Sequence, residues 1–327
     1  MAMTLLRFNC VQPGLEPNEM HQRYNAMLDM AQALDEAGGG MVSLEEHHGA
    51  DDGWSPSPLV MASAIFGRTK NIGISISALL VPLHDPLRIA EDIAVLDLIS
   101  GGKLSVIGGL GYRPEEYAAH QKSWADRGKL MDEAVGAMLK AWTGEPFEYA
   151  GTTVRVTPKP MTQPMPPFML GGTSKPAARR AAKFGLPIFF AAPVPEIEAY
   201  YYEKCGEYGT QGFAMAPEVG FHHHFLAEDV DKGWAEMGPY LFHETSTYAS
   251  WQTPDIKSAV HSHASNVDEL REEGIYRILS PAELVDEHKA AGDAAVANMH
   301  PLCGGMPIEM GWKQLDLLRN EVLPALA

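Results

Sequence analysis

The sequence predicts an α/β protein that folds as one (β/α)₈ barrel of the TIM type, a single domain over residues 1–327. Short apolar or β-branched runs alternate with helical patterns, and Gly or Pro separates them, which is typical of repeated βα units around a parallel sheet. The length alone would suit one large barrel or two domains. No strand is followed by a dinucleotide-binding glycine pattern, so the barrel is the better prediction.

About eight strands are expected, the number that such a barrel requires. The predicted strands are residues 5–10, 41–44, 72–81, 103–107, 168–170, 188–191, 219–226 and 295–299. Helical spacing of apolar residues fills the intervals, and helix starts are predicted at Asn18, Ser57-Pro58 and Asp85-Pro86. The segments 112–126 and 245–276 are longer than ordinary connections, and we expect them to be insertions over the active face at the C-terminal ends of the strands.

The charge balance excludes several kinds of partner. Asp and Glu total 42 against 25 Lys and Arg, which gives a net charge of -17. Nucleic acids and anionic membranes bind positive surfaces, so neither is an expected partner. No stretch approaches the roughly eighteen apolar residues of a membrane span, and the three cysteines are widely separated. A cytoplasmic protein without a disulfide framework is predicted.

Catalytic groups in a barrel of this kind come from the C-terminal ends of the strands. After the second predicted strand the chain reads Glu46-His47-His48, a carboxylate beside two imidazoles. A histidine with a pKa near neutrality can act as a general base or donate a hydrogen bond to a developing anion. Alternatively, these side chains only cap backbone groups at the strand end.

A second candidate is Gly171-Gly172-Thr173-Ser174, between a strand and a helix. Glycines allow close backbone approach, the hydroxyls add donors, and a helix N-terminus favours an anion, so this segment is a plausible phosphate cradle. The alternative is a tight turn followed by an ordinary N-cap.

No metal site is expected from the sequence. The histidine and cysteine spacings of zinc sites are missing, and adjacent residues at a strand end point to opposite sides. His222 and His224 share one face of a predicted strand, but no third ligand is evident, so a polar barrel wall is the favoured interpretation.

Several segments together resemble one family. They are LEEHHG at 44–49, SALLVPLHDPLRIAED at 77–92, LDLISGGKL at 96–104, YASWQ at 248–252 and VLP at 322–324. The chain is similar in these segments to the bacterial luciferase-like family of flavin-dependent oxidoreductases. The resemblance extends over nearly the whole chain and implies a (β/α)₈ barrel that uses FMN or the related deazaflavin cofactor.

The resemblance also implies roles for individual residues. His47, oriented by Glu46, would support the reaction of reduced flavin with oxygen. Ser77 and Ala78 would be joined by a cis peptide bond under the flavin ring, and Thr173 and Ser174 would meet the phosphate. The implied cofactor-binding set is Ser77, Ala78, Gly109, Leu110, Tyr112, Gly171, Gly172, Thr173, Ser174 and Trp251.

Two positions depart from the family pattern. Leu110 stands where many relatives place an arginine that pairs with the phosphate, and Arg113 is a candidate replacement. Gly109 stands where the luciferases have a cysteine, which argues against light emission. An apolar wall beside the flavin is expected from Leu79, Tyr112 and Trp251.

The leading hypothesis is a two-component monooxygenase that takes reduced FMN from a partner reductase and uses O₂ to oxidise a small organic substrate. The alternatives are a deazaflavin-dependent oxidoreductase and a flavin-binding barrel without catalysis. The resemblance further implies a homodimer through helices near the second and third strands, at 58–68 and 86–100.

Overall fold

The computed structural model describes residues 3–216, 222–251, 262–292 and 295–326. Ten strands form one sheet in which every recorded pairing is parallel, and two further strands form an antiparallel hairpin. In chain order the strands are β1 (Met3–Phe8), β2 (Met41–Leu44), β3 (Gly73–Leu80), β4 (Leu104–Gly109), β5 (Phe147–Tyr149), β6 (Thr152–Val154), β7 (Phe168–Gly171), β8 (Ile188–Phe189), β9 (Ala214–Met215), β10 (His223–Leu226), β11 (Tyr276–Leu279) and β12 (Val296–Met299). The predicted α/β class is confirmed.

The helices alternate with these strands. In chain order they are α1 (Pro17–Glu36), α2 (Pro58–Phe66), α3 (Pro86–Ser100), α4 (Pro114–Ala119), α5 (Arg127–Ala141), α6 (Lys175–Phe184), α7 (Pro195–Tyr208), α8 (Val230–Trp251), α9 (Val267–Glu273), α10 (Pro281–Ala291), α11 (Ile308–Leu317) and α12 (Leu323–Leu326). In the described part of the chain no helix is both long and apolar enough to cross a membrane.

The strand order follows the chain along most of the sheet. The spatial order is β11-β10-β12-β1-β2-β3-β4-β7-β8-β9, so each strand from β1 to β9 lies beside the next strand of the sheet, as a barrel requires. At the other side β10 lies between β11 and β12. Among the described residues the hydrogen-bonded order ends at β9 and β11.

The predicted insertion at 245–276 is not one irregular segment, because α8 continues to Trp251 and α9 occupies part of the range. The strand that follows it, β11, was not predicted. Glu244 and Thr245 are buried in tertiary contacts, which override the weak helix propensity of the Ser- and Thr-rich sequence that follows. Part of the predicted strand 219–226 lies outside the described residues.

Two predicted helix starts also need correction. The first helix begins at Pro17 with Glu16 at the N-cap, rather than with Asn18, because proline is preorganised for the first turn. Ser57 occupies the N-cap of α2 but its side chain accepts no capping hydrogen bond. Asp85 does cap α3, since its carboxylate accepts from the amides of Leu87 and Arg88.

Successive side chains of β1 point alternately to the hydrophobic core beneath the helices and to the polar inner face of the sheet. Leu6 and Phe8 are fully buried in one hydrophobic cluster with Met27 and Met30 of α1. Burial of each such side chain stabilises the fold by about 1.5–3 kcal/mol. Arg7 projects to the opposite face of β1, where it is also buried and meets carboxylates. The helices therefore cover an apolar outer face, while ionic groups occupy the inner one.

Candidate active site

The Glu-His-His motif follows directly after β2, and its members point in different directions. Glu46 Oε1 lies 2.9 Å from His48 Nε2 and 2.6 Å from His84 Nε2, and Glu46 Oε2 accepts from the Leu80 amide at 2.6 Å. The predicted orientation of His47 by Glu46 is wrong. Because neighbouring residues of an extended strand end face opposite sides, Glu46 binds the end of β3 instead.

These contacts keep Glu46 ionised. Burial alone would raise the pKa of this carboxyl, but the hydrogen bonds from His48, His84 and the Leu80 amide outweigh it and lower the pKa to about 2. Glu46 is therefore a buried anion that joins the ends of β2 and β3.

His47 is held from both ring nitrogens by other residues. Its Nδ1 lies 3.1 Å from Glu116 Oε1, and its Nε2 lies 3.1 Å from the Tyr112 hydroxyl. Glu116 also accepts from the His48 amide at 2.9 Å and from Arg113 Nη1 at 3.3 Å. A carboxylate at Nδ1 fixes a tautomer in which Nε2 accepts, which is the arrangement of a histidine poised for proton transfer.

The pKa directions agree with this assignment of protons. Burial tends to raise the pKa of Glu116, but the contacts with His47, the His48 amide and Arg113 lower it overall. The pKa of Tyr112 is raised well above its ordinary value, first by burial and then by Tyr248 and nearby carboxylates. Glu116 is therefore ionised at neutral pH, while Tyr112 keeps its proton.

Four aromatic rings surround the His47 imidazole. The ring centres of Trp54, Tyr112, Tyr248 and Trp251 lie 5.5, 5.5, 6.2 and 4.9 Å from its centre. We call these four residues the aromatic shell. His47 is only 5% exposed, so the shell and its neighbours exclude most water from the imidazole.

Arg113 does not replace the arginine that is missing at Leu110. Its Nη1 donates to the His48 carbonyl at 2.9 Å and to Glu116, and its guanidinium carbon lies 4.2 Å from the ring centre of Trp251. Arg113 therefore belongs to the His47 site. The Leu110 carbonyl accepts from the Tyr117 hydroxyl, and the Leu110 side chain packs against the hydrophobic core.

The predicted cis peptide bond between Ser77 and Ala78 is present. Gly109 of β4 lies close to it, since a Cβ added at this glycine would come within 2.7 Å of the Ala78 Cβ. A side chain at position 109 would force one of these two strands to shift, which explains the glycine. Leu79, expected in a wall beside the flavin, is instead fully buried in the core.

The segment from Gly171 to Ser174 joins β7 to α6. The Ser174 hydroxyl accepts from the Ala177 amide at 3.4 Å, so the N-cap interpretation holds for this residue. Gly172 has φ 145°, and a Cβ added there would lie 2.8 Å from the Ala177 Cβ. The first turn of α6 contains no acidic residue. The segment is therefore a tight turn followed by an N-capped helix, and phosphate binding at this helix start stays a prediction.

The cradle segment follows β7, and the cis peptide bond lies in β3, with β4 between these two strands. Register pairs Leu80 with Gly109 and Gly108 with Leu170, so the ends of β3, β4 and β7 are consecutive along one edge of the sheet. The predicted cofactor residues on these strands are thus brought together.

Residues that the sequence did not single out complete the site. Glu116 lies on α4 within the predicted insertion 112–126, His84 follows β3, and Trp54 lies in the loop after β2. Tyr248 lies on α8. Glu116 and Trp54 have no local sequence signal for chemistry, whereas His84 and Tyr248 lie in the family-like segments 77–92 and 248–252 without a role assigned to them.

The fold and the strand-end site define an α/β protein of parallel strands with a buried histidine site at one end of its sheet. A family model described as luciferase-like monooxygenase matches residues 1–283. The chain belongs to this family, as the resemblance predicted.

Two curated relatives illustrate the family. The chain is 25% identical over 155 residues to the oxygenase component of the flavin-dependent trigonelline monooxygenase of Acinetobacter baylyi, which covers 45% of this chain and 42% of that protein. It is 26% identical over 199 residues to the alkanal monooxygenase beta chain of Vibrio harveyi, with 56% of this chain and 60% of that protein covered. The chain thus spans about half the length of the curated relatives that it matches.

Solved structures share the fold along the whole chain. A monooxygenase from Streptomyces bottropensis has a TM-score of 0.74 and 22% identity, over 99% of this chain and 100% of that chain. The oxygenating constituent of 3,6-diketocamphane monooxygenase from Pseudomonas putida, in complex with FMN, has a TM-score of 0.70 and 20% identity. The match covers 99% of this chain and 98% of that chain. An F420-dependent secondary alcohol dehydrogenase has a TM-score of 0.67 and 17% identity, over 100% and 99%.

Proposed function

We propose that this chain is the oxygenase component of a two-component flavin-dependent monooxygenase. It takes reduced FMN from a separate reductase and uses O₂ to oxidise a small organic substrate. The observation that carries the proposal is the His47 imidazole, fixed between Glu116 and Tyr112 inside the aromatic shell. A named relative is itself an oxygenase component, which supports the two-component arrangement.

The residues present fit an FMN cofactor. Gly172, Thr173 and Ser174 at the start of α6 would hold the phosphate, because a helix N-terminus favours an anion and the first turn of α6 carries no acidic side chain. The backbone at Ser77 and Ala78 would lie beside the ring system, at the same edge of the sheet. When bound, reduced FMN supplies the electrons that reduce O₂.

The protein's own contribution is proton control in a site with little water. His47 Nε2 faces the Tyr112 hydroxyl and can take or return its proton, while the ionised Glu116 stabilises the imidazolium that forms. When His47 is an imidazolium, it can give its Nε2 proton to Tyr112 as Tyr112 gives its own proton to a developing anion, which leaves both side chains neutral. The aromatic shell keeps competing water away from these groups.

The cofactor is tested by anaerobic binding followed by addition of oxygen. We expect the protein to bind reduced FMN, to consume O₂ and to transfer one ¹⁸O atom from ¹⁸O₂ to the product of a suitable substrate. In the absence of substrate, hydrogen peroxide should accumulate. Binding of F420 alone, with hydride transfer that needs no O₂, would instead establish the deazaflavin alternative suggested by one similar structure.

We also propose a homodimer formed through α2 and α3. Val60 is 70% exposed and Ile99 is 55% exposed, and Leu98 and Val95 extend the same apolar surface on α3. Light scattering should give twice the chain mass for the wild type and one chain mass for Ile99→Glu. Tyr208→Glu, at another exposed apolar residue on α7, is the matched control and should stay dimeric. A monomeric wild type would rule the dimer out.

A further inference from the structure

A second cluster of buried polar groups lies apart from the His47 site. It contains Arg7, Glu45, Glu244, His300 and Cys303, which we call the Glu244 cluster. Arg7 binds both oxygens of Glu45, with 3.0 Å between Nη2 and Oε2, and its Nη1 donates to Glu244 Oε1 at 2.9 Å. The cluster therefore joins β1, the end of β2, α8 and the segment that follows β12.

Three of these residues have metal-ligand atoms of different elements that lie close to one another. A carboxylate oxygen of Glu244, a ring nitrogen of His300 and the sulfur of Cys303 all lie within 4.8 Å of one another. The sulfur is 3.1 Å from Glu244 Oε2, and His300 Nδ1 is 3.3 Å from Glu244 Oε1. Neighbouring donors around a tetrahedral zinc ion are roughly 3.4–3.8 Å apart, so only small movements separate these atoms from coordination.

The His300 imidazole gives an independent indication of a ligand. The ring is 0% exposed and its Nδ1 contacts Glu244 Oε1, but among the residues that the structure describes its Nε2 has no hydrogen-bond partner. Buried polar groups are normally satisfied by a partner, and a neutral imidazole is the commonest protein ligand of transition metals. Coordination to a metal ion would satisfy this nitrogen.

The charge of the cluster has the sign that attracts a cation. Glu45 and Glu244 carry two negative charges, and Arg7 carries one positive charge. With a divalent ion and a Cys303 thiolate, three positive charges balance three negative ones.

Hydrogen bonds around Glu244 would keep it oriented as a ligand. Its Oε2 accepts from Asn9 Nδ2 at 2.8 Å and from the Gly304 amide at 3.2 Å, and its Oε1 accepts from Tyr276 at 3.3 Å. Such outer contacts fix the geometry of metal-binding carboxylates. Arg7 does not exclude a cation, because its own charge is compensated by Glu45.

We propose that Glu244, His300 and Cys303 bind one divalent transition metal ion. A mixed oxygen, nitrogen and sulfur donor set favours zinc. On binding, a metal–sulfur bond forms and the Cys303 thiol loses its proton to water. Glu244 lies one helical turn before Tyr248 on α8, so the ion would fasten the helix that carries part of the aromatic shell. Its three ligands differ from the residues of the proposed proton path and of the phosphate cradle, so metal binding can be measured without flavin.

The test uses the full-length protein, stripped with a chelator and then loaded with Zn²⁺ or Co²⁺. We expect about one metal ion per chain by elemental analysis, and a near-ultraviolet thiolate-to-cobalt absorption band with Co²⁺. Cys303→Ala should remove the band and weaken zinc binding at least about tenfold. Cys205→Ala, which changes another buried cysteine, is the matched control and should keep both properties.

Two results would overturn the proposal. One is less than about a tenth of a metal ion per wild-type chain at micromolar zinc, and the other is a cobalt band that persists in Cys303→Ala. Either would identify the Glu244 cluster as a metal-free ionic network centred on Arg7. If Cys303→Ala fails to fold, the test is thermal unfolding of the metal-free wild type with and without zinc. Zinc should raise the thermal midpoint, and an unchanged midpoint would refute the site.

Discussion

Two buried carboxylates contact the two histidines of the motif that follows β2: Glu46 contacts His48, and Glu116 contacts His47. The two contacts have different consequences. Glu46 directs its oxygens to His48, His84 and the Leu80 amide. None of these contacts reaches the aromatic shell. Glu116 arrives on α4 from the other side and binds His47, whose second nitrogen faces Tyr112.

The difference shows how one short motif separates into a stabilising half and a chemical half. Both acceptor atoms of Glu46 are used in fastening β2 to the end of β3. Glu116 instead fixes His47 and leaves its Nε2 directed at a hydroxyl that can exchange a proton. A contact between a carboxylate and an imidazole is therefore a poor guide to function by itself. The group at the second imidazole nitrogen determines whether the histidine can take part in proton transfer.

The largest effect is expected from His47→Gln. Glutamine keeps a hydrogen-bonding side chain but cannot take up a proton, so the rate of substrate oxidation should fall about 100-fold to 10,000-fold. The thermal midpoint should stay near that of the wild type. Product formation and hydrogen peroxide release are measured together, and peroxide should rise as product falls.

The matched control is His48→Gln, which changes the neighbouring residue of the same motif. It should lower stability through Glu46 while the folded protein retains most of its rate. If both variants lost activity equally, the division of the motif between the two carboxylates would be wrong.

The next largest effect should come from Glu46→Gln, on stability rather than rate. The pKa of Glu46 falls from its ordinary 4.5 to about 2 in the folded protein. A shift of that size corresponds to about 3 kcal/mol in the free energy of unfolding at neutral pH. Urea denaturation at pH 7 should show a loss of this order, with substrate oxidation per folded molecule little changed.

The lowered pKa of Glu46 also predicts that its contribution to the free energy of unfolding decreases as the pH falls. A carboxyl whose folded pKa is depressed stabilises the protein fully above its unfolded pKa and loses that contribution as pH falls through the folded value. The stability difference between wild type and Glu46→Gln should therefore be complete above about pH 4.5 and vanish towards pH 2. A difference that stayed constant across this range would show that the variant acts through packing instead.

Sequence reasoning predicted the Glu46 half of this comparison more fully than the Glu116 half. The motif at 46–48 and the cradle at 171–174 lie at strand ends, where the alternation of elements fixes their place, whereas the cis bond at Ser77-Ala78 was implied by the family resemblance. Glu116 and Tyr248 lie 69 and roughly 200 residues from His47, and only tertiary packing brings them to it.

The wrong prediction that Glu46 orients His47 has the same cause, which is reliance on residues that are close in sequence. Glu46 is the nearest carboxylate in sequence, but the pleat of a strand directs adjacent side chains to opposite faces. Likewise β11 was missed because Arg277 interrupts an apolar run of only four residues. Short-range patterns therefore predicted the framework, whereas the proton path required contacts between distant segments.

A smaller loss of activity is expected from Glu116→Gln. The amide can still contact His47 Nδ1, but it cannot stabilise the imidazolium, so turnover should fall about 10-fold to 100-fold with little change in the substrate concentration for half-maximal rate. Glu115→Gln changes the adjacent, exposed carboxylate and should leave turnover unaltered. Equal effects of the two substitutions would indicate a general electrostatic influence instead of a specific contact.

The smallest effect is expected from His84→Gln, which changes the more exposed histidine of the Glu46 cluster, the group formed by Glu46, His48, His84 and the Leu80 amide. The His84 side chain is 27% exposed and gives Glu46 one of its three hydrogen bonds. A hydrogen bond to a buried charge is worth about 1.5–3 kcal/mol, and partial exposure reduces this, so a loss of about 1 kcal/mol in the free energy of unfolding is expected. Substrate oxidation should not change, because His84 has no contact with His47 or with the aromatic shell among the described residues. A drop in rate without a drop in stability would place the Glu46 cluster in the proton path and would remove the distinction between the two carboxylates.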